Sequence, residues 1–291
     1  IGGKPCFVEE IGTLGPMFAG DEAGAAFIRA SLFTTWAHDC LGFLWWCANE
    51  QSHLAHAPYD WNAVERELGF FRLNGTPKPV LKELSRFTRF VDQFPGGRLP
   101  GRIVDGVCLL SNGQDAWGAA YGTFTLAKQA GLDIEFRHVS QVLPDARLYM
   151  LPSLKGDSSI SRRQWVALLE KVRRGAVLYL SFEGALLSQF EEVAGIRVST
   201  RERCAGPETV TIAGTHRVQL QGSFKFAFEP VKAEVLGIDA EGNAAFTCAR
   251  YGKGTVFFLN YPVETGLLKV PGALHKKDAQ PYWAIYREVR N

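Results

Sequence analysis

What the sequence lacks narrows it first. Basic residues number 32 and acidic residues 30, so the formal charge is only +2, and the two signs are interleaved along the chain. There is no basic stripe, which removes nucleic acid as an expected partner. No apolar run approaches the roughly 18 residues of a membrane span, so no membrane partner is expected. Cysteine is sparse: Cys6, Cys40, Cys47, Cys108, Cys204 and Cys248 are scattered, with no C-x-x-C pair. Most lie inside apolar runs, so they read as buried reduced thiols and point to a reducing, cytoplasmic setting. No internal repeat and no low-complexity tract occurs. The glycine fingerprint of dinucleotide binding is missing too, because Ser111-Asn112-Gly113 lacks its spacing. No cofactor is expected. His53, His56 and Asp60 match no metal-ligand spacing, and no metal is expected.

What is present is enough apolar material for two or three domains: 46% of 291 residues. The periodicity is that of an α/β protein. Residues 5–9 read as a short buried strand, followed by a Gly/Pro-rich loop from Gly12 to Gly20. Asp21-Glu22 opens a helix running to about His38, with Phe27, Leu32, Phe33 and Trp36 as its apolar face. Cys40–Cys47 is a second continuous apolar strand. After a polar loop, 78–94 is an amphipathic helix. Strand, helix, strand, helix is the pattern of two consecutive parallel α/β units.

Pro95–Gly101 has linker composition, and the alternation then restarts. Strands are expected at 107–111, 134–139, 148–151 and 176–182, and helices at 117–130 and 160–174. This predicts a flavodoxin-like or amidotransferase-like α/β domain. From about Ile196 the texture becomes β-rich, with runs at 209–212, 217–221, 233–238, 244–250 and 255–260, and a hairpin turn at Tyr251–Gly254. These strands either complete the α/β sheet or form a separate region. A short helix is expected at 281–290. The expected division is 1–95, a linker at 96–103, then 104–200 and 201–291.

Three stretches carry the chemistry. Lys4-Pro5-Cys6-Phe7-Val8-Glu9-Glu10-Ile11-Gly12 ends the first strand, Gly42-Phe43-Leu44-Trp45-Trp46 ends the second, and Glu67–Pro79 carries Asn74-Gly75-Thr76-Pro77-Lys78-Pro79 into the following helix. In this order and spacing they resemble the last two strands and last helix of the barrel in clan A retaining glycoside hydrolases. That clan includes the cellulases and mannanases of family 5 and the β-galactosidases of families 2 and 42. The resemblance implies the C-terminal part of a (β/α)8 barrel over 1–95, a protein whose chemistry is hydrolysis of β-linked oligo- or polysaccharides, and Glu10 as the nucleophile. Glu9 should point to the opposite side by strand alternation. Trp46 takes the place of the sugar-stacking indole, with Trp45 as the alternative. Asn49, Glu50 and His53, just beyond the second strand, are candidate substrate contacts.

A retaining enzyme needs two carboxyl groups about 5–5.5 Å apart. In this clan the acid/base glutamate follows an asparagine on the fourth barrel strand. Asn49-Glu50 follows what reads as the eighth, and is not assigned that role. Only two of the eight units of a barrel of about 250 residues are visible. The chain opens on Ile-Gly-Gly-Lys-Pro directly before a strand and so reads as the middle of a protein. The remaining barrel, in the same protein or a separate chain, is the expected partner. The order of barrel, α/β domain and β-rich region is that of family 42, which implies a homotrimer assembled through the middle domain. That domain lacks a Gly-x-Cys-x-Gly nucleophile elbow, which disfavours amidotransferase chemistry. The competing reading is a non-catalytic carbohydrate-binding or oligomerisation protein built on a degenerate barrel.

Overall fold

In the computed structural model, residues 6–12, 14–61, 64–274 and 276–290 are described. Lys4 and Pro5, which open the first motif, lie outside them. The chain divides into two compact units at Arg102/Ile103, inside the linker-like stretch.

In the first unit, β1 (Cys6–Gly12) runs into α1 (Asp21–Ala37), then β2 (Cys40–Trp46) and α2 (Pro79–Val91). Asp21 and Glu22 occupy the first turn of α1, where carboxylates favour the positive end of the helix dipole. Pro79 opens α2, where the missing amide costs nothing. β1 and β2 pair in parallel, Ile11 beside Trp45 and Gly12 beside Trp46. Both helices pack on one face of this pair. Ala25, Ile28, Leu32, Val80 and Phe87 are buried there against Ile11, Phe43 and Trp45. Phe33 and Phe87 meet edge to face at 5.2 Å.

The other face of the pair is open. Phe7, Leu44 and Trp46 are 52%, 58% and 43% exposed. Phe7 leans across Gly42, where a Cβ would sit 2.7 Å from its ring. Among the described residues, neither strand has a further strand partner.

In the second unit, β3 (Gly106–Leu110), α3 (Ala116–Ala130), β4 (Ile134–His138), β5 (Leu148–Leu154), α4 (Arg162–Arg173) and β6 (Val177–Phe182) follow in order. After them come α5 (Phe190–Ala194), β7 (Ile196–Arg203), β8 (Glu208–Ile212), β9 (His216–Leu220) and β10 (Phe224–Pro230). The unit closes with β11 (Glu234–Asp239), β12 (Ala244–Tyr251), β13 (Gly254–Leu259), α6 (Val263–Leu267) and α7 (Trp283–Arg290).

Nine strands form one sheet in the order β4-β3-β5-β6-β13-β12-β11-β8-β9. The first five are mutually parallel and follow the flavodoxin-like order. From β13 onward every pairing is antiparallel. The sheet therefore does not stop near residue 200. Five of its strands come from 201–291, because Val256–Leu259 is apolar on both faces and pairs with β6 as a fully buried strand. Only β7 and β10 stand apart, as an antiparallel ribbon.

Alternation sorts the core into two layers. Cys108, Met150, Tyr179, Phe257 and Leu259 face α3 and α7. Leu109, Tyr149, Leu151, Leu178 and Phe258 face α4 and α5. Asp115 caps α3 by accepting the Gly118 amide at 2.9 Å. No helix among the described residues is long and apolar enough to cross a membrane.

Candidate active site

Because β1 and β2 are parallel, their carboxyl ends lie together, and that is where the sequence concentrates polar residues. Ile11 packs on the helix side while Phe7 lies on the open side. Regular alternation would put both on one face. The pairing register slips between Cys6 and Val8 and again between Val8 and Ile11, and both Glu9 and Glu10 are exposed. Glu9 is therefore not buried on the helix side. Glu10, next to inward-facing Ile11, is exposed, as are Leu44 and Trp46.

The two indoles part company. Trp45 stacks on Phe70 at 4.4 Å and belongs to the core between strand and helices. Its Nε1 is buried with no hydrogen-bond partner among the described residues. Trp46, at the end of β2, keeps 43% of its surface open. The Trp46–Cys47 peptide is cis. Sugar stacking needs an accessible indole face, which Trp46 has.

Beyond β2 the chain is held by the stretch before α2. Asn49 bridges to Phe71, and the Glu50 amide donates to the Phe71 carbonyl at 2.9 Å. The carboxylate of Glu50 is paired with Lys78 and accepts the Leu73 amide at 3.2 Å. Lys78 also donates to the Glu67 carbonyl at 2.7 Å. Gly69 lies against the Asn49–Glu50 peptide so closely that a Cβ would fall 2.3 Å from it, which only glycine permits. The structure thus places Glu50 in a mostly buried internal ion pair, while Asn49 is exposed. His53 is exposed, and the His56 ring meets Tyr59 edge to face at 5.7 Å. Desolvation raises the Cys47 thiol above its ordinary value. Among the described residues no cluster of three or more His, Cys, Asp or Glu is placed to hold a metal ion.

The second unit holds an arrangement that no sequence motif announced. Glu264, on α6, is fully buried, and its carboxylate accepts four hydroxyls. Ser153 donates at 2.8 Å, Tyr179 at 2.9 Å, Tyr286 at 2.8 Å, and Ser181 completes the set. Among the described residues no cation pairs with it. Gly122 of α3 lets this segment approach, since a Cβ there would lie 2.5 Å from the Glu264 carbonyl. Beyond the carboxyl ends of β3 and β5, where doubly wound sheets bind ligands, the protein's own polar groups pair with one another. Gln114 accepts from the Ser111 amide and hydroxyl and donates to the Pro152 carbonyl at 3.2 Å. Cys108 is buried, and desolvation holds its thiol far above the ordinary range, so it is no nucleophile.

No protein-family model matches the chain, and no curated protein matches it by sequence. Solved structures do. The exo-beta-1,4-mannosidase Op5Man5 from Opitutaceae bacterium strain TAV5 superposes over 97% of this chain with a TM-score of 0.75 and 18% identity. The fold is one seen in glycoside hydrolases. The polyextremophilic beta-galactosidase of the Antarctic haloarchaeon Halorubrum lacusprofundi gives 0.66 over 91% of the chain at 14% identity. Gan42B, a GH42 beta-galactosidase from G. stearothermophilus, gives 0.57 over 81% at 13% identity. The chain spans 52%, 42% and 38% of the lengths of these three proteins. At such identities the likeness establishes a mixed α/β fold built around a large sheet, shared with glycosidases.

Proposed function

We propose that this chain is the carboxyl-terminal part of a retaining β-glycoside hydrolase, with Glu10 as nucleophile and Trp46 as the platform of the sugar subsite. The observation that carries the reading is the parallel β1–β2 pair, backed by helices on one face, with Glu10 and Trp46 both exposed toward its carboxyl ends. In a (β/α)8 barrel that is the end where catalytic groups sit. The unbacked face and unpaired strand edges suit completion by the remaining barrel strands, from the same protein or a separate chain.

In this mechanism the Glu10 carboxylate attacks the anomeric carbon as the glycosidic C–O bond breaks. A general acid contributed by the rest of the barrel protonates the leaving oxygen. Water, deprotonated by that same group, then releases the sugar from Glu10 with the original configuration restored. Trp46 stacks on the apolar face of the ring and orients it without adding charge. Asn49 and His53, both exposed beyond β2, are the proposed contacts to sugar hydroxyls. Glu50 acts by fixing that segment through Lys78. A β-linked substrate of the mannan, cellulose or β-galactoside type fits this reading, and the second unit is the proposed trimerisation module.

The test is covalent trapping of the full-length protein with 2-fluoro glycosides of gluco, manno and galacto configuration. A fluorosugar adduct on the peptide containing Glu10 supports the assignment. Intact, folded protein that acquires no label with any of the three sinks it, and leaves a non-catalytic carbohydrate-binding role.

A further inference from the structure

The second unit contains a cavity that the proposed chemistry does not use. Its volume is about 240 Å³, and it opens beyond the carboxyl ends of β6 and β13. One wall is Glu183, directly after β6. The floor is α6 and the segment to Val270, and the far wall is Gln219–Ser223 with Gln280 and Tyr282. The carboxyl edge of parallel strands is where open α/β sheets bind small molecules.

We propose that this cavity binds a single neutral pyranose unit, separately from the sugar site at Trp46. The lining matches such a ligand in three ways. First, its polar lining residues are mostly neutral: Gln219, Gln221 and Gln280, whose Oε1 already accepts the Gln219 amide, with Thr265 and Ser223. A carboxamide offers both a donor and an acceptor, as adjacent sugar hydroxyls require. Second, Pro262, Leu267 and Val270 supply apolar surface for the C–H face of a ring. Third, the lining charges cancel. They are Glu183 and Lys269, and the Glu183 carboxylate has Lys155 at 3.8 Å. That carboxylate is 12% exposed and accepts no hydrogen bond among the described residues, so it is an acceptor left for a ligand hydroxyl.

The walls are fixed in advance. The Gln219 amide donates to Gln280 Oε1 at 2.6 Å, and the Tyr282 hydroxyl donates to the Gln219 carbonyl at 3.1 Å. The floor helix is pinned from beneath by the four hydroxyls on Glu264. Pre-set walls lower the ordering cost of binding. The volume of about 240 Å³ suits a monosaccharide, pockets for drug-sized ligands starting at about 300 Å³.

Isothermal titration of the chain with D-mannose, D-galactose and D-glucose tests this, with three variants alongside. Gly266→Leu fills the space without removing a hydrogen bond. A Cβ at Gly266 meets only the Gln221 carbonyl, at 3.4 Å. Gln221→Ala, at an exposed position, removes one carboxamide and leaves the fold's own contacts in place. Trp46→Ala removes the stacking platform of the other site. The expected result is saturable millimolar binding of at least one sugar, abolished by Gly266→Leu and kept by Trp46→Ala. Gln221→Ala should weaken it about two- to tenfold, the worth of one hydrogen bond. If no sugar binds, or if binding survives both Gly266→Leu and Gln221→Ala, the proposal is overturned. Loss with Trp46→Ala alone overturns it in favour of the Trp46 site. Trapping at Glu10 is a separate readout, so either idea can fail while the other stands.

Discussion

Lys78 and Glu50 form an ion pair that water scarcely reaches, with the lysine side chain 3% and the glutamate side chain 13% exposed. The pair ties the start of α2 to the segment leaving β2. Removing one member leaves a charge with no partner, which costs more than the intact pair contributes. Lys78→Met is expected to lose about 3–5 kcal/mol of stability. Urea unfolding checks this. A loss below about 1 kcal/mol would mean the pair is solvated and behaves as a surface one.

The two indoles should separate in their effects. Trp46→Ala is expected to leave the melting temperature nearly unchanged and lower kcat/KM of the complete enzyme about five- to twelvefold, the value of a ring contact of about 1–1.5 kcal/mol. Trp45→Ala should do the reverse, losing about 3–5 kcal/mol of stability through the gap left beside Phe70. Thermal melts and kinetics on the same two variants settle the assignment. The opposite pattern would make Trp45 the sugar contact.

Glu264 should be intolerant of an apolar replacement. Glu264→Leu strands four buried hydroxyls, each worth about 1–3 kcal/mol when left unsatisfied. The variant is expected to be insoluble or to melt far below the parent. Glu264→Gln keeps the shape but sets an amide donor against hydroxyl donors, and should give an intermediate loss. Equal stability for Glu264→Leu and the parent in a thermal melt would contradict the cage.

The pH dependence follows from buried acids that stay protonated. The Cys108 thiol, whose ordinary value is 9.0, and the Tyr179 and Tyr286 hydroxyls are pushed up, chiefly by desolvation. These groups keep their protons in the folded state after the unfolded chain has released them. Their stabilising contribution is complete below the unfolded values and is lost as pH rises above them. Urea midpoints should therefore fall steadily above about pH 9. Alkylation at pH 8 followed by peptide mass mapping should leave Cys108 unmodified in native protein and modified in denatured protein. Modification of native Cys108 would show that it is accessible.

Much of this architecture is readable from periodicity, because both kinds of strand carry strong signals. Cys40–Trp46 and Leu148–Leu154 are nearly unbroken apolar runs, and Asp115 and Gly131 bracket α3 as cap residues should. The β7–β10 ribbon was not legible. β7 carries charge at Arg197, Arg201, Glu202 and Arg203 because most of it faces solvent, which erases the alternation. β10 does alternate, through Phe224, Phe226 and Phe228. At the candidate site, the strand order and the exposure of Trp46 follow from the pattern. The register slips around Val8 do not, since a bulge is a relation between two strands. The Glu264 cage is invisible for the same reason: its hydroxyls come from β5, β6 and α7, and no local spacing relates them.

The position of β13 also bears on how fast this chain reaches its native state. After β6 the polypeptide leaves the parallel sheet, and only after residues 183–253 does β13 return to lie against β6. That closure joins partners far apart in sequence, and loop entropy must be overcome before the contact yields any gain. Until β13 docks, the inner edge of β6 is an unpaired apolar strand. The rate of that one return should set how long the nascent protein remains prone to aggregation.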